Sequence, residues 1–196
     1  IRDSTMELQR GVVGDLAALP HLRDAAALVS MQANAGRICA SARTAGATVV
    51  VVGCGGLGTA AIQGAKVAGA KNIVAIDPSE FKRESAMEFG ATHTAPSMEE
   101  AMELVGGLTE GVQADSVILT PSVLTGDLIA PAQFLTRKGG TVVATAVAPA
   151  AQMDVQLNLF MFSMMNQELK GCLFGSTAPR KEIPHLLSMY QAGQLK

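Results

Sequence analysis

Little charge, few cysteines and no long apolar run characterise this chain, and each shortage argues against a class of function. Only 16% of the 196 residues are charged and the net charge is −2. No basic stripe exists to follow a nucleic-acid backbone. No apolar run reaches the length needed to cross a bilayer, and Ile1-Arg-Asp-Ser-Thr5 does not read as a signal peptide. The three cysteines, Cys39, Cys54 and Cys172, are far apart and form no Cys-x-x-Cys pair. That argues against a disulfide scaffold or a structural zinc, and suits a reducing, cytoplasmic setting. There is no Gly-x-Ser-x-Gly elbow, no His-Glu-x-x-His, no internal repeat and no low-complexity segment. His21, His93 and His185 stand alone, none at metal-ligand spacing from a cysteine or acid. His93 reads as a structural residue and His185 as a solvent-facing one.

What remains is an apolar chain, 48% hydrophobic, of the size of one ordinary domain. Its most informative stretch is Ala47-Thr-Val-Val-Val-Val-Gly-Cys-Gly-Gly-Leu-Gly58. A β-branched run feeds into Gly-x-Gly-x-x-Gly, and a helix of small residues follows. A second apolar run, Asn72–Ile76, ends in Asp77, 19 residues after Gly58. This is the dinucleotide-binding fingerprint in the context that gives it meaning. Gly53 permits the tight turn, Gly55 lets the backbone approach a pyrophosphate, and Gly58 lets the helix pack closely on the sheet. The amides opening the helix, at Gly56 and Leu57, face phosphate charge together with the helix dipole.

From Thr48 onward strands alternate with helices, which predicts a parallel sheet with right-handed crossovers. The strands are read at Thr48–Val52, Asn72–Ile76, Thr92–Thr94, Ser116–Leu119, Thr141–Thr145 and Leu169–Phe174. Helical patterns fall at about 57–68, 79–89, 97–106, 124–136, 155–166 and 180–192. Asp77-Pro78-Ser-Glu80 reads as a capping box with proline at the first helical position, and Ser97-x-x-Glu100 as a second. Lys138-Gly-Gly140 reads as a turn before the fifth strand. Residues 1–45 are different. They are alanine-rich and helical in pattern, interrupted near Pro20, and form a lead-in to the nucleotide-binding domain of residues 46–196.

Several residues carry two readings. Asp77 either accepts hydrogen bonds from ribose hydroxyls, favouring NAD over its 2′-phosphorylated form, or caps the helix that follows; the two are compatible. Lys82 lies beside the adenosine or is a solvated lysine, and Arg83 reads as surface. Cys54 is a small hydrophobe, or a helix-terminal thiol with a lowered pKa whose oxidation obstructs the cofactor. The run Leu157–Met165 is a buried helix or a subunit interface.

From about Gly46 to Lys196, three quarters of its length, the chain resembles the nucleotide-binding domain of medium-chain, zinc-type alcohol dehydrogenases. The likeness rests on Gly53–Gly58, Gly69–Asp77, Phe89-Gly-Ala-Thr-His93 and Arg137-Lys-Gly-Gly-Thr141. Through Asp77–Arg83, Leu169–Gly175 and Tyr190–Lys196 it is most similar to a bacterial branch that holds NAD(H) tightly and uses N,N-dimethyl-4-nitrosoaniline as artificial acceptor. The resemblance implies a doubly wound, six-stranded α/β Rossmann sheet in the order 3-2-1-4-5-6, with helices on both faces and NAD across the switch point. It places Asp77 and Lys82 at the adenosine ribose, and Thr120, Ala146 and Val147 at the nicotinamide pocket. It also implies dimer contacts through 157–175.

The departures from that family matter as well. The Gly-His-Glu zinc motif and the structural-zinc cysteines are absent from this sequence, and Met31 stands where a zinc-ligating cysteine is usual. The lead-in Arg43–Ala47 is short, and the chain stops where family members continue into the catalytic domain. The expectation is therefore an NAD(H)-binding half of an alcohol dehydrogenase-like oxidoreductase, with no catalytic residue and no metal ligand of its own. Zinc is expected only in the complete enzyme. Such a half needs a catalytic domain or partner chain for hydride transfer, and no nucleic acid or membrane is expected as partner. Two other readings stand beside it: a non-catalytic NAD(H) sensor, and an S-adenosylmethionine-dependent methyltransferase, against which Gly58 and the strand count argue.

Overall fold

Residues 45–172 and 179–196 are described by a computed structural model. The expected lead-in helix, with His21, Met31 and Cys39, and the last two residues of the expected Leu169–Phe174 strand lie outside the described residues.

Six parallel strands form one sheet in the order β3-β2-β1-β4-β5-β6. They are β1 (Thr48–Val52), β2 (Asn72–Ile76), β3 (His93–Ala95), β4 (Ala114–Leu119), β5 (Thr136–Ala144) and β6 (Glu168–Gly171). The helices are α1 (Gly56–Val67), α2 (Glu80–Phe89), α3 (Met98–Leu108), α4 (Ile129–Phe134), α5 (Leu159–Met164) and α6 (Pro179–Gln191). Parallel strands covered on both faces need apolar side chains at every position. β1 meets that demand with four valines after Thr48, all five residues buried and the Thr48 hydroxyl satisfied by Asn72 Nδ2 (3.0 Å). Alternate residues serve opposite faces. Val49, Val51, Ile73, Ala75 and Ile118 pack with Ala61, Ile62 and Ala65 of α1 and Ala86 of α2. Val50, Val52, Val74, Ile76, Val117 and Leu119 pack with Ala101 and Val105 of α3 and with Ile129 and Ala132 of α4. Each fully buried valine or isoleucine contributes about 1.5–3 kcal/mol, so β1 with its two neighbours is the centre of the fold.

Local chemistry moves several expected boundaries. The helix expected over 124–136 is a 3₁₀ turn, Gly126–Leu128, followed by α4. β5 starts at Thr136, and the expected Lys138–Gly140 turn is an irregularity inside it. Between pairs Ala114↔Thr136 and Ser116↔Thr141 the register shifts, and Gly139 has φ 68°. The helix expected over 155–166 shrinks to α5. Gln133 holds Asn158 in extended backbone by a reciprocal pair, Asn158 N to Gln133 Oε1 (3.1 Å) and Gln133 Nε2 to Asn158 O (3.0 Å). Asn158 then caps α5 by accepting from Met161 N.

The start of α2 also differs. Ser79 is its N-cap and makes no side-chain cap bond, so Pro78 lies outside the helix. The carboxylate the box needed is engaged elsewhere: its Oδ1 accepts from Ser79 N (3.0 Å) and its Oδ2 from Cys54 N (2.9 Å). The Ser97 cap forms as expected, accepting from Glu100 N (3.2 Å). At the far end of the chain, the backbone N of Lys196 donates to the buried Gln63 of α1 (2.7 Å) and Leu195 is buried, which ties the exit from α6 to the first helix.

Candidate nucleotide site

Where the strand order reverses, between β1 and β4, the connections leave in opposite directions and open a crevice at the carboxyl ends of the strands. A cleft of about 550 Å³ lies there. The glycine turn that floors it is built on close approaches. Gly53 has φ 94°, and a Cβ on it would stand 2.7 Å from the carbonyl oxygen of Thr120. Its N–H donates to Ile76 O (2.7 Å), while Thr120 N donates to Val52 O (2.8 Å). The Thr120 hydroxyl lies 2.9 Å from Val52 O and 2.7 Å from Gly53 O. Gly58, buried beneath, faces the Gly53 carbonyl so closely that no side chain fits. Its close packing is thus against the turn itself.

Gly55 is different in kind. It is the N-cap of α1 with extended backbone, and a Cβ on it would meet nothing within 4 Å. It offers no side chain to cap the helix, so the amides of the first turn keep their need for an acceptor. Gly55, Gly56 and Leu57 line the cleft, which is space and polarity suited to a phosphate.

Asp77 stands opposite, at the end of β2, with only 4% of its surface exposed. Cys54 N donates to its Oδ2 (2.9 Å) and Ser79 N to its Oδ1. Lys82 Nζ lies 3.6 Å from Oδ2 with its side chain half exposed. The carboxylate thus bridges the glycine turn to the β2–α2 turn and keeps lone pairs for a ligand hydroxyl. The reading of Cys54 as a thiol of lowered pKa is overturned. Burial, and then the neighbouring Asp77 carboxylate, push its thiol up to about 12. It is buried, 3.6 Å from the carbonyl of Ile76. Desolvation outweighs the helix terminus here.

Arg83 is not simply a surface residue. Its Nη1 donates to the carbonyls of Asp77 (2.8 Å) and Pro78 (2.9 Å).

The cleft brings together Gly53, Gly55, Gly56, Leu57, Asp77, Lys82 and Thr120, and Gly58 supports it from below. Ala146 and Val147 are not among its lining residues. β5 ends at Ala144, and Val147, 77% exposed, gives its carbonyl to Leu124 N (3.1 Å). Residues the sequence reading did not assign to the site complete the wall: Pro96, the helix-capping Ser97 and Met98 after β3, Pro121 and Ser122 after β4, and Leu128. Their signal was positional, since Pro96–Met98 and Pro121–Ser122 follow the carboxyl ends of strands.

Among the described residues no three His, Cys, Asp or Glu side chains are grouped to hold a metal ion. His93 pairs with Thr92 through Nδ1 (2.9 Å), and His185 is exposed. The core reading of 157–165 fails for Leu159, Phe160 and Met164. α5 buries none of its residues, and these three are exposed beside the exposed edge strand β6. No described helix is long and apolar enough to cross a membrane.

Comparison with known proteins adds an independent line. The family model for zinc-binding dehydrogenases matches residues 56–192. The NDMA-dependent alcohol dehydrogenase of Amycolatopsis methanolica is 43% identical over 152 residues, which is 78% of this chain and 41% of that protein. Alcohol dehydrogenase B of Mycobacterium tuberculosis is 42% identical over 150 residues, 76% of this chain and 40% of that protein. The chain therefore spans about two fifths of the length of these relatives. Among solved structures, benzyl alcohol dehydrogenase from Acinetobacter calcoaceticus superposes with a TM-score of 0.76 at 24% identity, covering 85% of this chain and 45% of that one.

Proposed function

Because the chain belongs to the zinc-binding dehydrogenase family, we propose that its cleft binds NAD(H) for an oxidoreductase acting on alcohols or aldehydes. The observation that carries this reading is the pairing of Asp77 with the glycine turn. A buried carboxylate at the end of β2 faces a helix N-terminus whose cap residue, Gly55, has open space where a Cβ would be. Those are the two chemistries a dinucleotide needs, hydroxyl acceptors and phosphate donors, on either side of one cleft.

The residues divide the work. The amides of Gly55, Gly56 and Leu57 hold the pyrophosphate, with the α1 dipole behind them. Asp77 accepts from the adenosine ribose, and Lys82 lies beside it. Thr120 locks the turn against β4, so the floor of the site does not shift when charge arrives. Ala146 and Val147, beyond the cleft wall, are placed on the nicotinamide side only by family likeness. The nicotinamide ring supplies hydride acceptance or donation when bound. This chain contributes binding and orientation. No step is assigned to zinc, since the described residues offer no donor set for it.

We assign the exposed apolar face of α5 and the outer edge of β6 to contact with a second copy of the chain, and place the protein in the cytoplasm. The catalytic half comes from another domain or partner chain. The test is fluorescence titration with NADH, with NADPH and S-adenosylmethionine as competitors, beside an Asp77→Ala variant. Saturable NADH binding, weakened about tenfold or more by Asp77→Ala, supports the reading. Preferential binding of S-adenosylmethionine refutes it. Turnover of alcohols in the presence of a catalytic domain separates an oxidoreductase from a sensor.

A further inference from the structure

The turn Asp77–Ser79 lies outside both β2 and α2, and Pro78 within it has no N–H to anchor it. Every polar atom of Asp77 is nevertheless gripped. Its N–H donates to Ala95 O (3.2 Å), Oδ1 accepts from Ser79 N and Oδ2 from Cys54 N. Its carbonyl accepts from Arg83 Nη1 (2.8 Å), which also donates to the carbonyl of Pro78 (2.9 Å).

Arg83 and Lys82 are neighbours in the first turn of α2, yet they reach different ends of the same acid. Lys82 approaches the carboxylate and lines the cleft. Arg83 takes the backbone, is half-buried and does not line the cleft. We infer that Arg83 is a positioning residue of the nucleotide site: it fixes the Asp77–Pro78 peptide and so aims the Asp77 carboxylate at the ribose. The inference rests on the nucleotide reading of the cleft. Without the guanidinium, two carbonyls lose a charged donor, and the carboxylate is aimed only by the amides of Cys54 and Ser79, with the Asp77–Pro78 peptide no longer clamped behind it.

The experiment compares the wild-type chain with Arg83→Ala, Arg83→Met and Arg83→Lys. NADH, NADPH, AMP and reduced nicotinamide mononucleotide are the probes, and melting temperature is measured alongside. NADH and AMP are expected to weaken by the same factor, about tenfold, in Arg83→Ala and Arg83→Met. Reduced nicotinamide mononucleotide, which does not reach the adenosine ribose, keeps its affinity. Arg83→Lys regains part of the loss, because an ammonium reaches one carbonyl but lacks the planar fork. Unchanged NADH affinity in Arg83→Ala overturns the inference. So does a loss shared equally by the mononucleotide together with a lowered melting temperature, which indicates general damage. A loss confined to NADPH overturns it as well, since Arg83 would then touch ligand. Failure of the wild-type chain to bind NADH refutes the nucleotide reading itself and this inference with it, and that outcome shows before any variant is compared.

Discussion

Alanine at Gly53 and alanine at Gly55 are expected to fail in different ways, although both add one methyl group to the same turn. At Gly53 the methyl group meets backbone. Its nearest neighbours would be Thr120 O at 2.7 Å, Thr120 C at 2.8 Å and Pro121 N at 2.9 Å. None of these is the yielding end of a side chain. The residue also sits at φ 94°, where an L side chain costs about 1–2 kcal/mol. Overpacking adds about 1–3 kcal/mol, so Gly53→Ala loses about 2–5 kcal/mol. For a domain of this size each kcal/mol lowers the melting temperature by about 2–4 °C, which gives a drop of roughly 4–20 °C.

At Gly55 the added methyl group meets nothing within 4 Å, and φ is −74°. The free protein loses only the small preference of a helix N-cap for glycine over alanine, about 0.5 kcal/mol, or roughly 1–2 °C. Its methyl group instead occupies the space over the first turn of α1, where the pyrophosphate must come closest. NADH affinity should fall at least about tenfold, as for any buried polar contact that is lost. Differential scanning fluorimetry and NADH titration on the two variants decide the matter. A Gly55→Ala variant that melts near wild type and binds NADH as tightly as wild type refutes the assignment of the phosphate to this turn. A Gly53→Ala variant with an unchanged melting temperature refutes the reading of the turn's close approach to β4.

Two further outcomes follow from features outside that turn. Cys54, held neutral up to about 12, should resist iodoacetamide in the folded protein at pH 8 and react only on unfolding. Its folded pKa lies above the ordinary 9.0, so the stability it contributes is full below about pH 9 and declines as pH rises toward 12. Cys54→Ala should flatten that decline in melts taken across the range, and an equal slope in both proteins refutes it. Phe160→Asp, which charges the exposed face of α5, should turn a self-associating chain into a monomer in sedimentation velocity with its melting temperature kept. A wild-type chain that sediments as a monomer at every concentration refutes the interface.

The parts of the fold legible in the sequence were those written locally. The β-branched run, the glycine spacing and the acid after the second apolar run specify β1, α1 and β2 within 30 residues, Thr48 to Asp77. The sheet order came from family likeness, and the parallel ladder bears it out. What escaped is what depends on backbone atoms and on neighbours distant in sequence. Arg83 was read as surface because its partners are carbonyls, which no side-chain letter announces. The Asp77–Glu80 box failed because the Asp77 side chain turned to Ser79 N and the glycine turn. Pro96–Met98 and Pro121–Ser122 became cleft walls only once β3, β2, β1 and β4 stood side by side. The short helices α4 and α5 reflect Gln133, whose side chain holds residue 158 in place from 25 residues away.

The burial of the strands sets a gradient across the sheet that bears on how the protein opens. β1 has no residue exposed, while all four residues of β6 are exposed and the helix preceding β6 buries nothing. Local unfolding draws on such poorly buried elements first. Amide protons of β6 and α5 should therefore exchange with solvent early, and those of β1, β2 and β4 only when the whole domain opens, which hydrogen-exchange mass spectrometry checks. The cleft residues hang from the slow side of that divide, so thermal loosening at the β6 edge leaves the glycine turn and Asp77 in register.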